Sequence, residues 1–110
     1  MKLLTKELTR KLRANCGSSG GDTKPVVKFF NPCGAATWLF SELDDDGDTL
    51  FGLCDLGFGS PELGYASLSE IASVRVPPFG LKIERDKWWK ADKTLSDYAD
   101  EANSLGRIAA

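Results

Sequence analysis

The chain has no histidine. That removes Ser-His and Cys-His nucleophile pairs and every His-containing zinc site. A catalytic reading is left with carboxylates, Lys, Tyr or a bare thiol. Cysteine is scarce: Cys16, Cys33 and Cys54 are an odd number at no metal-ligand spacing. That count does not look like a disulfide framework, and a reducing cytoplasm is expected. No apolar run approaches the ~20 residues of a membrane span. The opening MKLLTKELTRKLR is too charged for a secretory signal. One further absence is local. Between Phe29 and Val74 there is no Lys or Arg.

That same stretch holds eight carboxylates: Glu42, Asp44, Asp45, Asp46, Asp48, Asp55, Glu62 and Glu70. Residues 1–28 net +5 and residues 75–110 net +1, so the formal −2 of the whole hides a basic start and an acidic middle. Phosphates lying across the middle would meet carboxylates, which disfavours nucleic acid there and leaves open a basic or polar protein partner.

With 110 residues the chain is expected to form one domain, residues 1–110, with a flexible loop over 17–24. A chain of this size buries roughly two-thirds of its unfolded surface, enough for one core without staples. Thr5 is placed to cap a helix in which Leu4, Leu8 and Leu12 form the apolar stripe. The helix should stop near Asn15–Gly17. Strands follow at 26–30, 36–43 and 49–56, the last two around the DDDGD turn as a hairpin. Neither alternates cleanly: Trp38 and Phe40 point one way and Leu39 and Leu43 the other. Both sheet faces should therefore be covered. A fourth strand is expected at 63–68, then a short helix capped by Ser69, an extended LKIER segment at 81–85, and a last helix. Thr94 caps that helix, with Leu95, Tyr98, Ala102 and Leu105 on one face. The expected fold is α+β: a single domain, an antiparallel four-stranded β-meander with flanking helices. Trp38, Phe40, Phe51, Leu53, Leu56, Leu68 and Ile71 should be mostly buried.

Six features are weighed for a function. In DDDGD, Asp44, Asp46 and Asp48 have the one-three-five spacing of a calcium loop, with Asp55 at the twelfth place. Thr49 stands where the sixth place needs Gly, and strands flank the loop rather than helices. A solvated turn fits better, and no metal or cofactor is expected. Asp55, Glu62 and Glu70 are candidates for acid–base work by type only, since nothing in the sequence brings two together. Lys6, Arg10, Lys11 and Arg13 form a basic cluster that could meet phosphates. Cations opposite a leucine stripe are also the ordinary polar face of a docked helix. Adjacent Trp88 and Trp89 should face opposite ways, one into the core and one toward solvent, where exposed Trp favours an interface. Cys54 fits a buried thiol, while Cys16, beside Gly17, should be exposed. GFGSPELG has no Lys and is not a phosphate loop.

The strings VVKFFNP, ATWLFSELDDDGDTLFGLCDLGFGSPELGYASLSEIASVR and GLKIERD, with the opening MKLLTKEL, carry a resemblance over most of residues 1–90. Together they resemble a bacterial family of small proteins catalogued as a domain of unknown function. Members are encoded on plasmids, integrative elements and phage-derived regions. The resemblance implies a cytoplasmic accessory protein of a mobile genetic element and brings no catalytic residues. Lys87, Trp88 and Trp89 stand where members often carry a His or another aromatic.

The functional expectation is a non-enzymatic protein that binds another protein through Glu42, Asp44, Asp45, Asp46, Asp48, Trp88 and Trp89. Inhibition of a host defence complex is one concrete form, by analogy. The alternatives are nucleic-acid binding through Lys6, Arg10, Lys11 and Arg13, and, more weakly, a carboxylate- or cysteine-dependent enzyme. A monomer or weak homodimer is expected, with no membrane partner.

Overall fold

The computed structural model describes residues 2–17 and 23–110. The elements, in order, are α1 (Lys6–Ala14), β1 (Val27–Phe30), β2 (Thr37–Leu43), β3 (Thr49–Asp55), β4 (Glu62–Ser67), α2 (Leu68–Ser73), β5 (Glu84–Arg85) and α3 (Leu95–Leu105). The strands form one antiparallel sheet in the order β4-β3-β2-β1-β5. The expected meander is present as β1 to β4, but the sheet has five strands, not four. Glu84 and Arg85 pair with Phe30 and Phe29 and occupy the outer edge of β1, whose N–H and C=O groups would otherwise lie open. The loop expected over 17–24 falls largely on 18–22, outside the described residues. At its ends, the Gly17 N–H donates to Glu42 Oε1 at 3.1 Å and the Thr23 carbonyl accepts from Leu95 N–H at 3.0 Å.

Thr5 caps α1 as its sequence suggests, its Oγ1 accepting from Leu8 N–H at 3.2 Å. Leu12 is fully buried, with Leu4 and Leu8 packed beside it. On that first face lie Leu3, Val27, Phe29, Trp38, Phe40, Leu43, Leu50, Ile71 and Ile83, with the Phe29 and Phe40 rings edge to face at 5.6 Å. On the second face Leu39 and Leu53 meet Leu95, Tyr98, Ala99 and Ala102 of α3, and Ile108 beyond it. Both faces are thus covered, as the missing alternation requires.

Leu43 is on the other face from the one its spacing suggests. The β2–β3 register shifts between Phe40 and Glu42, a bulge at Ser41 that turns Leu43 to the side of Trp38 and Phe40. Ser41 is fully buried, and its carbonyl accepts from Asn15 Nδ2 at 3.0 Å, which fixes the end of α1 against β2. Of the seven side chains expected inside, Trp38, Phe40, Leu53 and Ile71 are buried, and Phe51 and Leu68 are half-buried. Leu56 is 58% exposed. The strand ends one residue earlier than expected, at Asp55, and the chain turns away through Gly57 at φ +89°. Leu105, at the end of α3 before the left-handed Gly106, is also exposed. Helix α2 is capped by Ser67 rather than Ser69: its Oγ accepts from Glu70 N–H at 3.2 Å.

Asp55 is 2% exposed. Its Oδ1 accepts from Gly57 N–H at 2.9 Å and its Oδ2 from Ile108 N–H at 3.0 Å, so it fastens the segment after α3 to the end of β3.

Candidate functional site

The turn between β2 and β3 is closed by the Asp44 N–H donating to the Thr49 carbonyl at 2.8 Å, with Gly47 at φ +73°. Its carboxylates divide into two groups. Asp46, though exposed, is bound to the turn itself: Oδ1 accepts from the N–H groups of Asp48 and Thr49, each at 2.8 Å, and Oδ2 accepts from Thr49 Oγ1 at 2.6 Å. The Thr49 hydroxyl, then the two backbone donors, hold its pKa down at about 2. Asp48 reaches α2: Oδ2 accepts from Ser67 Oγ at 2.6 Å and Oδ1 from Ser69 N–H at 2.8 Å. The Ser67 hydrogen bond, followed by that of Ser69, lowers its pKa. Asp46 and Asp48 therefore serve the turn and the helix start. Asp55, at the far end of β3, is roughly 20 Å away at the usual rise per strand residue. The one-three-five-twelve set does not converge. Among the described residues no group of three or more His, Cys, Asp or Glu is placed to hold a metal ion.

Asp44 and Asp45 are exposed, Asp44 Oδ1 accepting from the Asp45 N–H at 2.7 Å, and Glu42 is half-buried, with Oε1 accepting from the Gly17 N–H. Partial loss of water, then the charges of Asp44, Glu42 and Asp45, raise the pKa of the Cys16 thiol. Cys16 is exposed yet protonated at neutral pH, which makes it a poor nucleophile. Burial pushes the Cys54 thiol up to about 11.

Beside these acids lies a concavity of about 350 Å³ whose lining includes Cys16, Glu42, Asp44, Thr49, Phe51 and Tyr65. Its floor is a row across three strands: Glu42 pairs with Phe51, and Phe51 with Tyr65. The two rings stand 5.0 Å apart at 53°, and Tyr65 is 74% exposed. Helix α3 covers the other end of this face over Leu53, with Leu63 at its border, and among the described residues no helix covers this end. Phe51, expected only as a buried side chain, and Tyr65 were not among the site residues singled out from the sequence. The signal was the strand register, which places them beside Glu42 only once the Ser41 bulge is known.

Trp88 and Trp89 lie beyond β5, in a turn and the residue after it rather than in a strand, and they differ in exposure. Trp88 is 91% exposed, its N–H donating to Asp86 Oδ1 at 3.1 Å. Trp89 is half-buried, its ring 5.9 Å from that of Tyr98. Trp88 sits with Phe30, Arg85 and Lys87 on the β5 edge. Phe30 pairs with Thr37, at the end of β2 away from Asp44. The acidic turn and Trp88 are thus about a strand length apart, roughly 20 Å, and do not form one surface.

Of the basic cluster, Lys6, Arg10 and Arg13 follow one stripe of α1 opposite its leucines, all exposed. Lys11 pairs with Glu7 at 3.6 Å. Among the described residues no helix is long and apolar enough to cross a membrane.

No curated protein and no solved structure matches the chain. A family model does, over residues 3–109, nearly the whole length. The chain, with its α+β meander, therefore belongs to the family described as Protein of unknown function (DUF2958).

Proposed function

We propose that this protein acts by binding another protein, with the concavity of Glu42, Asp44, Phe51 and Tyr65 as the working surface. The observation that carries the reading is the division of the hairpin acids. Asp46 and Asp48 are spent on the fold with both carboxylate oxygens, while Glu42 and Asp44 each accept one backbone N–H, keep their second oxygen without a hydrogen-bond partner among the described residues, and line a concavity with the half-buried Phe51 and the exposed Tyr65. Carboxylates beside a tyrosine face suit an arginine or lysine side chain, whose stem packs on the ring while its charge meets the acids. The partner is therefore a basic protein segment. In a mobile-element setting the concrete form is an inhibitor of a host defence complex, occupying a basic surface built for nucleic acid. No step of this reading needs catalysis, a cofactor or a metal.

The test is a pull-down from the host with the wild type, followed by affinity measurement on the purified partner. Tyr65→Ala and the pair Glu42→Gln with Asp44→Asn should each weaken binding about tenfold or more, the scale of an interface hot spot. The charge changes should mainly slow association. Arg10→Ala with Lys11→Ala should leave affinity unchanged. Loss of binding through the α1 changes instead, with duplex DNA as the captured species and a steep salt dependence, would favour the nucleic-acid reading.

A further inference from the structure

On the opposite sheet face lies a second cavity, of about 420 Å³, between α1, α2 and the segment before β5. Its volume is within the range of about 300–1,000 Å³ found for small-molecule sites. Leu3, Leu4, Leu43, Leu68, Ala72 and Ile83 supply apolar walls. Leu3, Leu43 and Ile83 belong to the buried core, whereas Leu4 and Leu68 are only half covered. Among the described residues the charged side chains of its lining are Lys2, Arg13 and Lys82, all exposed, and no carboxylate lines it. They come from three separate parts of the chain: the N-terminal segment, α1 and the residues before β5. Arg85 holds the first of these in place, its Nη1 donating to the carbonyls of Leu3 at 2.6 Å and Lys2 at 3.1 Å. Among the described residues none of the three cations has a carboxylate within ion-pairing distance. Arg13 does act on Asp46 through its charge, but that carboxylate is already committed to three hydrogen bonds.

An apolar chamber with an all-cationic mouth selects for a molecule that is apolar at one end and anionic at the other. We infer that this cavity binds a free medium-chain fatty acid, its alkyl chain among the leucines and its carboxylate at Arg13 and Lys82. Alkyl carbon would cover the half-exposed Leu4 and Leu68. The Arg13 fork suits a carboxylate in bidentate contact. The site uses none of the residues of the acidic concavity, so the inference stands apart from the proposed function.

Calorimetry on the full chain with three eight-carbon probes tests it. Octanoate should bind saturably with one site. Octanol should bind at least tenfold more weakly, and octyltrimethylammonium should not bind. Arg13→Gln with Lys82→Gln should lower octanoate affinity about tenfold or more while leaving the melting temperature within a degree or so, since both are exposed surface groups. Ala72→Phe, which fills the chamber from the exposed side of α2, should abolish binding with all three cations kept. Three results would each overturn the assignment: no heat with octanoate at millimolar concentration, equal binding of the cationic probe, or octanoate binding indifferent to both sets of changes. Tighter binding of an apolar peptide amide than of octanoate would also overturn it, by giving the chamber to a protein segment.

Discussion

Gly52 shows how one residue carries a constraint the rest of the strand does not. It lies opposite Phe40, next to the bulge, and a Cβ built on it would fall 2.0 Å from the Leu39 carbonyl oxygen and 2.7 Å from Phe40 Cα. Those are backbone atoms of two fully buried residues and cannot swing aside as a side-chain tip would. Gly52→Ala should therefore destabilise the protein by about 3 kcal/mol or more, at or above the upper end for overpacking. Chemical denaturation measures it, and a loss below 1 kcal/mol would mean the strands separate there at little cost. Gly64→Ala is the control, since nothing lies within 4 Å of the corresponding position. Asp46 gives a second residue-scale expectation. Its pKa is held at about 2 against an ordinary 3.8, so the folded state favours the charged form. The stabilisation is complete above pH 4 and is lost as pH falls through the window from 3.8 toward 2. Asp46→Asn should be less stable than wild type at neutral pH, and the difference should shrink across that window. A difference that stays constant down to pH 2 would show that the carboxylate charge is not what the turn uses.

Among the elements, those set by local pattern were legible. The hairpin follows from two apolar runs around DDDGD, α1 from Thr5 and the Leu4-Leu8-Leu12 stripe, and α3 from Thr94 and its apolar face. What depends on pairing was not. Ser41 reads as an ordinary strand residue, yet the bulge there reverses Leu43 and sets Glu42 beside Phe51. Half of the candidate site, Phe51 and Tyr65, exists only through that register. The division of the five acids was hidden for a similar reason, because the donors to Asp48 sit at the β4–α2 junction, about twenty residues downstream. The start of α2 was within reach: Ser67-Leu68-Ser69-Glu70 has the S-x-x-E form of a capping box, which points to Ser67. This yields a discriminating pair of variants. Ser67→Ala removes the cap of α2 and a donor to Asp48, and should cost about 1–2 kcal/mol. Ser69 reaches Asp48 through its backbone N–H, which Ser69→Ala preserves, so that change should cost markedly less. Thermal denaturation of the two settles the order. A larger loss for Ser69→Ala would return the cap to Ser69.

At the scale of the whole molecule, two cores lie on opposite faces of one sheet, and the question is whether they unfold together. Successive β2–β3 pairs serve alternate faces: Trp38 with Cys54 lies against α1, Leu39 with Leu53 against α3. Stripping either face would leave the same backbone ladder half solvated, which couples the two layers. Asp55 adds a tie, since it holds Ile108 of the second core to the end of β3. One cooperative transition is therefore expected. The tryptophans can report it. Trp38 is 8% exposed in the first core, Trp89 borders the second against Tyr98, and Trp88 is 91% exposed and belongs to neither. With Trp88→Phe as background, a further Trp89→Phe leaves Trp38 as the sole fluorophore, and Trp38→Phe leaves Trp89. Within each variant, the fluorescence and far-ultraviolet circular dichroism transitions in urea should share a midpoint and slope. A Trp89 signal that moves at lower urea than the dichroism would show α3 leaving before the sheet. The second face, including the open end that holds Phe51 and Tyr65, would then be a separable layer. A partner that binds there would stabilise α3 selectively rather than the molecule as a whole.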